Sequence, residues 1–365
     1  MSITVTHIRD FFTEARQASQ ARHRDIAENL KISEGELIAA HVGAFDPTIP
    51  SKLSAIRLLP SWSDIIESLE PVGEVMALTR NESCVHEKVG AYQNASHSPH
   101  AGLVLGGAID LRLFYGQWAF GFAVTEETEK GIQRSLQFFD KSGEAVHKVF
   151  LKPQSHQLNY DSVVLRFTDT SQITGITTQA KSPVSAELLD ADIDIKGFQR
   201  AWIGMRDTHE FFALLKQFKL TRTQALRLAP PDFSNPVDLG AVTELLIAAA
   251  RDAVPIMVFV GNVGTIQIHS GIVNKVVTLG SWLNVLDAGF NLHLRHDHIT
   301  SAWVVKKPTT DGIVTSLELF DAAGETIAMF FGERKPGKPE LYGWRKLAND
   351  LIVENAPPKV ETCVA

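Results

Sequence analysis

An internal repeat with a constant separation of 181 positions is the feature that most constrains the fold of this 365-residue chain. The shift aligns identical residues without a gap: Met76 with Met257, Asn81 with Asn262, Gly90 with Gly271, Leu105 with Leu286, Leu111 with Leu292, and Leu113 with Leu294. It also aligns the dipeptides Gly131-Ile132 with Gly312-Ile313, Ser135-Leu136 with Ser316-Leu317, Phe139-Asp140 with Phe320-Asp321, and Gly143-Glu144 with Gly324-Glu325. Chance does not keep one register over this length, so the repeat indicates a duplicated domain.

Each half begins with predicted helices and continues with strand-like segments. The helices begin at Ile8 and cover 21–42 in the first half, and they cover 192–229 and 237–253 in the second. Strands are predicted from about Val72 and from about Pro255. Residues 316–327 form a strand, an Asp-x-x-Gly turn and a second strand, which is a hairpin signal that the repeat partner 136–146 shares.

These patterns predict an α+β fold of two homologous repeats, each a large antiparallel meander sheet with helices packed on one face. The predicted limits are 1–185 for the N-terminal repeat, 186–353 for the C-terminal repeat and 354–365 for a flexible tail. Composition agrees with a globular chain, because 44% of the residues are hydrophobic and 21% are charged.

Charge and targeting signals limit the possible functions. The formal net charge of −7 argues against a general nucleic-acid binder. The N-terminus has no signal-peptide pattern and no run is long enough to cross a bilayer, so a cytoplasmic protein without membrane insertion is expected. Cys84 and Cys363 form neither a disulfide framework nor a metal-thiolate motif, and both thiols are expected to be reduced.

A predicted helix start at residues 206–215 contains the histidine with the most suitable local chemistry, His209. Asp207 or Thr208 can cap the helix, and residues 211–218 are expected to form a helical core segment. His209 would then lie in the first turn, where the helix dipole favours the neutral imidazole that binds metals. The apolar residues three or four positions away are Met205, Phe212 and Ala213. From these residues alone, a structural core histidine remains the alternative to a metal ligand.

Other histidines give weaker signals. In residues 293–298, His296 and His298 would share one face of a strand, as a two-ligand metal site requires, but no third ligand is set by spacing. An exposed polar strand or a pocket edge is the alternative. Some further histidines are each expected at the surface: His86, with His269 close to its repeat position, and His97 and His100 in a loop.

Residues 25–37 imitate a helix-turn-helix motif, and residues 218–222 repeat the same turn. The second helix of the motif has no basic or amide side chains that could read bases, so helix packing is the preferred interpretation. A DNA regulator would show a salt-dependent mobility shift.

No phosphate loop, dinucleotide fingerprint, Gly-x-Ser-x-Gly elbow or His-Glu-x-x-His motif is present, which gives no support to an ordinary kinase, dehydrogenase or hydrolase. The scattered cations are Arg112, Arg222, Lys306, Lys307 and Arg334, and surface charge is the default interpretation for each.

Several segments together resemble the bacterial haemin-degrading factor family, the cytoplasmic HemS/ChuS/PhuS type of haem-utilisation protein. They are 202–215 with His209, 303–312, 330–337, Arg80-Asn81-Glu82 with 85–88, and 109–112. The resemblance covers nearly the whole chain. It implies that His209 is the proximal axial ligand of haem iron, and that Arg112 is a distal, catalytic residue on the opposite face. It further implies that the propionates and the pocket are held by Arg222, Lys307, Arg334, Phe331 and Met329, with Phe212 as an apolar wall and His86 as a secondary haem-site candidate.

The function implied by the resemblance is binding of haem b (iron protoporphyrin IX) and its oxidative ring opening, with iron release and an external electron donor. The alternative is a non-enzymatic carrier that passes haem to a separate haem oxygenase. Expected partners are haem and either the haem import machinery or a haem oxygenase, and the chain is expected to be a monomer or a homodimer. Unlike some members, this chain has no histidine directly after His209 and no tyrosine at residues 329–331, so ligand switching is not available and distal hydrogen bonding is expected to be weaker.

Overall fold

The structure is a computed structural model that describes residues 3–19, 21–44, 52–181, 187–334 and 337–354. The chain divides into two compact units. Unit 1 comprises residues 1–80, 86–182 and 261–267, and unit 2 comprises 81–85, 183–260 and 268–365. Each unit therefore includes one short segment from the other half of the sequence. The predicted boundary at 185 and the predicted tail beyond 354 lie outside the described residues.

Among its described residues, unit 1 combines five α-helices with nine strands. The helices are α1 (Val5–Ala18), α2 (His23–Leu30), α3 (Glu34–Ala39), α4 (Trp62–Glu67) and α5 (Gln157–Phe167). The strands are β1 (Leu53–Arg57), β2 (Val75–Arg80), β3 (Cys84–Gly90), β4 (Ala95–His97), β5 (Gly102–Gly106), β6 (Ile109–Leu113), β7 (Phe120–Thr128), β8 (Gly131–Phe139) and β9 (Ala145–Leu151). Antiparallel neighbours follow the order β1-β7-β8-β9-β2, and β4-β5-β6 form a second antiparallel series.

Unit 2 has the same plan. Its helices are α6 (Ile195–Ile203), α7 (Glu210–Phe218), α8 (Arg222–Arg227), α9 (Ala241–Arg251) and α10 (Tyr342–Glu354). Its strands are β10 (Ser234–Val237), β11 (Ile256–Gly261), β12 (Thr265–Gly271), β13 (Val276–Leu279), β14 (Trp282–Asp287), β15 (Phe290–Arg295), β16 (Ser301–Thr309), β17 (Gly312–Phe320) and β18 (Thr326–Gly332). Antiparallel neighbours follow the orders β10-β16-β17-β18-β11 and β13-β14-β15.

The predicted repeat is confirmed at the level of strand limits. The bounds of β7, β8 and β9 are separated from those of β16, β17 and β18 by 181 positions at both ends. The predicted Asp-x-x-Gly turns are also present. Asp140 and Asp321 each accept two backbone N–H bonds within the turn, and Gly143 and Gly324 adopt φ values of +81° and +76°, where glycine is favoured.

A second pair of loops has equivalent hydrogen bonds. The side-chain amide of Asn81 donates to the backbone oxygen of Ile327 (2.8 Å), and that of Asn262 donates to the backbone oxygen of Val146 (3.0 Å). The two asparagines are related by the 181-residue shift, and so are the two residues whose oxygens accept their hydrogen bonds. The duplication therefore preserves individual contacts as well as the order of elements.

Helices pack on the sheets of both units. Adjacent residues of a strand point to opposite faces. In unit 1, Val124 belongs to the core cluster of α1–α3, whereas Ala123 belongs to that of α4 and α5. In unit 2, Val305 packs with α6–α8 and Val304 with α9 and α10. The predicted fold class is confirmed, and the described helices extend to the second face of each sheet.

Among the described elements, the sequence interpretation missed five: β1, α4, α5, β10 and α10. The expectation that residues 211–218 form a continuous core segment is also wrong, because α7 is amphipathic. Phe211 and Leu214 are buried, but Phe212 and Ala213 are exposed. Among the described residues, none of the helices has the length and apolarity needed to cross a membrane.

Candidate functional site

His209 lies at the N-cap position of α7, one residue before the predicted first turn, and its side chain is 92% exposed. The helix begins here because Asp207 accepts the backbone N–H of His209 (2.8 Å) and Glu210 accepts that of Arg206 (3.2 Å). The alternative of a buried core histidine is therefore wrong. The expected apolar neighbour Phe212 is itself 77% exposed, so this end of α7 presents an imidazole and a phenyl ring together.

The orientation of the His209 ring is set by Asp207. Its Nδ1 atom lies 2.6 Å from Oδ1 of Asp207. A carboxylate only accepts, so Nδ1 carries a proton and Nε2 is the ring nitrogen left to bind a metal. The hydrogen bonds from the backbone and ring of His209 hold the pKa of Asp207 below its ordinary value. The contact with Asp207 thus leaves Nε2 as the ring nitrogen of His209 that is available to a metal.

The loop before α7 contacts the β16–β17 turn. The backbone N–H of Thr310 donates to the backbone oxygen of Arg206 (3.0 Å), and the neighbouring Asp311 lies 3.7 Å from the guanidinium of Arg334. Attraction by Arg334 further contributes to the low pKa of Asp207. Arg334 and His209 therefore lie at the same end of unit 2, and their common role stays a prediction.

A second group, the cation cluster, consists of Arg222, Lys307, Glu318 and Met329. Glu318 is fully buried and accepts from Arg222 (2.7 Å) and Lys307 (2.6 Å), and Arg222 also contacts the sulfur of Met329 (3.2 Å). Burial opposes ionisation of Glu318, but the attraction of its two cations outweighs it and holds its pKa well below the usual range. Burial lowers the pKa of Lys307 to about 8 against the opposing attraction of Glu318.

The aromatic ring of Phe211 connects this cluster to the helix of His209. Phe211 is buried two residues after His209, with the Lys307 ammonium 4.6 Å and the Arg222 guanidinium carbon 5.1 Å from its ring centroid. Lys307 is only 4% exposed, so the expectation that it lies at the surface is wrong, whereas Arg222 is 24% exposed. Arg222 is thus the member of this pair that solvent and a ligand can reach.

Half-buried apolar side chains continue the same sheet face beside the cation cluster. Glu318 pairs with Met329 across β17 and β18, and Met329 and Phe331 pair with Phe259 and Met257 across β18 and β11. The rings of Phe331 and Phe259 meet edge to face at 4.9 Å. These residues fit a flat apolar ligand with carboxylates, because unit 2 offers an exposed nitrogen donor, half-buried apolar side chains and partly exposed arginines.

A family model for the haemin-degrading HemS.ChuX domain matches two parts of the chain, residues 31–167 and 219–351. The chain belongs to the haemin-degrading HemS/ChuX family. The two matched parts correspond to the two repeats, and the resemblance seen in the sequence is confirmed.

Sequence relatives in this family include two from Yersinia. The chain is 41% identical over 334 residues to the hemin transport protein HmuS of Yersinia pestis, which covers 90% of this chain and 92% of the relative. It is 40% identical over 324 residues to the hemin transport protein HemS of Yersinia enterocolitica, covering 88% and 90%.

Solved structures of HemS/ChuX relatives have the same fold. Holo-PhuS, a heme-binding protein from Pseudomonas aeruginosa, matches with a TM-score of 0.91 and 44% identity over 96% of this chain and 99% of that one. The heme-degrading enzyme ChuS from Escherichia coli O157:H7 matches with a TM-score of 0.87 and 37% identity over 96% and 100%.

Two predicted haem-site residues of this HemS/ChuX chain lie in unit 1. Arg112 is on β6, where its guanidinium pairs with Asp110 and donates to the backbone oxygen of Leu111 (3.1 Å). Its distal role opposite His209 stays a prediction. His86 is fully buried on β3, so the expectation that it lies at the surface is wrong. Its role as a secondary haem-site candidate also stays a prediction.

The other histidines do not form a metal site within the described ranges. The predicted strand at residues 296–298 is wrong, because His296–His298 is a 3-10 turn after β15. His298 contacts the hydroxyl of Ser83 (3.0 Å), and His293 contacts the amide oxygen of Asn284 (2.7 Å). His269 is buried rather than exposed, and its ring stacks on Phe290 at 3.8 Å.

The helix-turn-helix imitation is confirmed as helix packing. The second helix, α3, is buried along most of its length, including Leu37, Ile38 and Ala39. A recognition helix must enter the major groove with exposed side chains, and α3 is instead packed into the core. Cys84 is buried and forms no disulfide among the described residues.

Sequence reasoning missed one residue of the site, Glu318, and one role, that of Asp207 as partner of the His209 ring. The signal for Glu318 was a carboxylate between Leu317 and Leu319 in a strand with buried residues. A buried carboxylate requires cationic partners, but their identity depends on strand register that the sequence does not state.

Proposed function

We propose that this chain binds haem b through Nε2 of His209 and degrades it by oxidative ring opening with release of iron. The observation that carries the proposal is the exposed imidazole whose Nδ1 is held by Asp207, because it leaves a single nitrogen directed outward as an iron ligand. The relatives support the substrate: PhuS is a heme-binding protein, and ChuS is a heme-degrading enzyme. Haem would supply the redox-active iron, and an external donor would supply electrons.

The surrounding residues would orient the ligand. Arg334 and Arg222 would bind the propionates, since both are partly exposed and Arg pairs well with carboxylates. Phe212, Phe331 and Met329 would supply apolar contacts to the macrocycle. Lys307 would contribute indirectly. Its buried ammonium pairs with Glu318, and the same carboxylate holds Arg222.

Haem titration of the purified protein tests the binding proposal. His209→Ala is expected to weaken haem binding about 100-fold or more and to change the Soret spectrum, because the axial ligand is lost. His296→Ala is the matched control, since His296 lies in a turn and contacts only the backbone oxygen of Gly280 (3.2 Å) among the hydrogen bonds described for its ring. An unchanged spectrum in His209→Ala, with loss in a variant of His86 or of residues 293–298, would overturn the proposal.

A carrier that hands haem to a separate haem oxygenase is the second candidate function. The 92% exposure of the His209 side chain favours it, because an exposed ligand is accessible to an acceptor protein, and the Yersinia relatives are hemin transport proteins. Import machinery would then be the donor partner.

Incubation of the haem complex with a reductant and air separates the two functions. An enzyme should lose its Soret band and release a bilin-like product and iron, even when catalase removes peroxide. A carrier should keep an intact spectrum, or lose it only when free peroxide accumulates.

A further inference from the structure

We infer that Asp207 is a positioning residue for His209, which fixes the imidazole tautomer and strengthens Nε2 as an iron donor. The inference rests on the proposed function, because it concerns how the proposed ligand is prepared. It assigns to Asp207 a role beyond capping α7.

The geometry shows that one carboxylate oxygen orients His209 at two points. Oδ1 of Asp207 accepts the backbone N–H of His209 (2.8 Å) and the ring Nδ1–H (2.6 Å). The first bond sets the backbone at the helix start, and the second restricts rotation of the ring about its side-chain bonds. An imidazole that is 92% exposed would otherwise sample several rotamers.

Neighbouring groups keep this carboxylate directed at the ring. Glu210, which could compete for the ring proton, accepts the backbone N–H of Arg206 (3.2 Å) instead. Arg334 pairs with Asp311 (3.7 Å) and lies close enough to attract Asp207 without a described ion pair to it. The Asp207 oxygen is thus shared between two donors of a single residue.

The chemical consequence is a more basic iron ligand. A carboxylate that accepts Nδ1–H gives the ring partial imidazolate character, which increases electron donation from Nε2. A stronger donor favours ferric over ferrous iron and lowers the reduction potential of bound haem. An asparagine at this position would keep an acceptor oxygen but remove the charge, and an alanine would remove both.

Three variants test the role: Asp207→Asn, Asp207→Ala and the control Glu210→Gln. The control removes a neighbouring charge that makes no described contact with the imidazole ring. We expect Asp207→Ala to weaken haem affinity about 10- to 100-fold and Asp207→Asn to weaken it less. Both should raise the reduction potential of bound haem, and the shift in Glu210→Gln should be smaller than either.

A measurement without haem makes the test independent of the loaded protein. Nitrogen-15 NMR of the apo protein should show His209 as the Nδ1–H tautomer, and Asp207→Ala should shift it towards the Nε2–H form that free imidazole side chains prefer. If Asp207→Ala does not fold, the isosteric Asp207→Asn still reports the potential and the tautomer.

The outcomes separate the two proposals. If both Asp207 variants keep the wild-type tautomer, affinity and potential while His209→Ala loses haem, the positioning role is overturned and the proposed function stands. If His209→Ala binds haem normally, the proposed function fails, and the apo tautomer still decides whether Asp207 orients the ring. Loss of stability alone, with an unchanged potential, would show a capping role only and overturn the inference.

Discussion

The two units place different side chains on equivalent positions of one scaffold. In unit 1 a left-handed Lys31 joins α2 to α3, and in unit 2 a left-handed Lys219 joins α7 to α8, a separation of 188 positions. Ser33 and Thr221, also separated by 188, cap the following helices. The helix pair is therefore a duplicated element, and its side chains can be compared one by one.

In unit 1 the equivalent positions form two salt bridges. Arg16 pairs with Glu126, which also contacts His23 (3.1 Å), and Lys148 pairs with Glu34 (2.5 Å). Burial alone would raise the pKa of Glu34, but the attraction of Lys148 outweighs it and holds that pKa below its ordinary value. The formal charges of the two bridges cancel.

In unit 2 the positions equivalent to four of these residues carry other side chains: Phe211 stands at the position of His23, Lys307 at that of Glu126, Arg222 at that of Glu34 and Met329 at that of Lys148. One carboxylate, Glu318, now serves two cations, so the cation cluster has a surplus positive charge. The shift of 188 also places Ala21 at the position of His209. The two units thus share the scaffold, while the exposed imidazole and the surplus cation are found in unit 2.

The largest expected effect concerns Glu318, whose repeat equivalent is Gln137. Glu318→Gln should destabilise the protein by about 3–5 kcal/mol, because it leaves Lys307 and Arg222 without their carboxylate in a buried site. Urea unfolding measures the change. The exposed Glu325→Gln is the control and should change stability by less than about 0.5 kcal/mol. A loss of stability below about 1 kcal/mol in Glu318→Gln would show that Lys307 and Arg222 tolerate the glutamine that unit 1 has at the equivalent position.

A second expected difference is an acid sensitivity in unit 1. His147 is buried between the hydroxyls of Thr79 (2.9 Å) and Tyr92 (2.5 Å), and burial lowers its pKa to about 3. The unfolded chain takes up this proton as the pH falls below about 6.5, but the folded chain does not, so stability is complete above about pH 6.5 and lost towards pH 3. From pH 7 to pH 5 the loss due to His147 should be about 2 kcal/mol.

Urea unfolding at both pH values checks this dependence. The repeat equivalent of His147 is the buried Ala328, so His147→Ala should remove the His147 part of the pH dependence even though it also loses packing. The buried His41, whose pKa burial lowers to about 4, should keep its own part in both proteins. Replacement of the exposed His100 by alanine should leave the dependence unchanged. An identical pH dependence in His147→Ala and wild type would rule out His147 as its source.

The smallest expected effect tests whether the two helix caps are equivalent. Ser33 accepts the N–H of Glu36 (3.2 Å), and Thr221 accepts that of Gln224 (3.1 Å). Alanine at either position should cost about 1 kcal/mol, because one backbone donor at the helix start loses its partner. Ser162→Ala, on the exposed side of α5, should stay within about 0.5 kcal/mol. A large cost at only one cap would mean that the helix pairs contribute unequally to their units.

The sequence by itself determined the features that depend on neighbouring residues or on the repeat. The Asp-x-x-Gly turns at Asp140 and Asp321 need only one side chain and one glycine, and the start of α7 needs only the carboxylates around His209. Because the repeat has a constant separation of 181 positions, a strand predicted in one half predicts a counterpart in the other half. For these reasons the α+β class, the duplication and the family were predictable.

Tertiary structure alone decided how the charged residues are used. Lys307 was expected at the surface, but strand register places it beside Glu318, and a buried carboxylate binds whatever cations lie within reach. His209 was compatible with a core position, yet its helix turns that residue outward and leaves Phe211 inside. Burial and ion pairing depend on which distant strands and helices pack together, and residue spacing along the chain does not specify that packing.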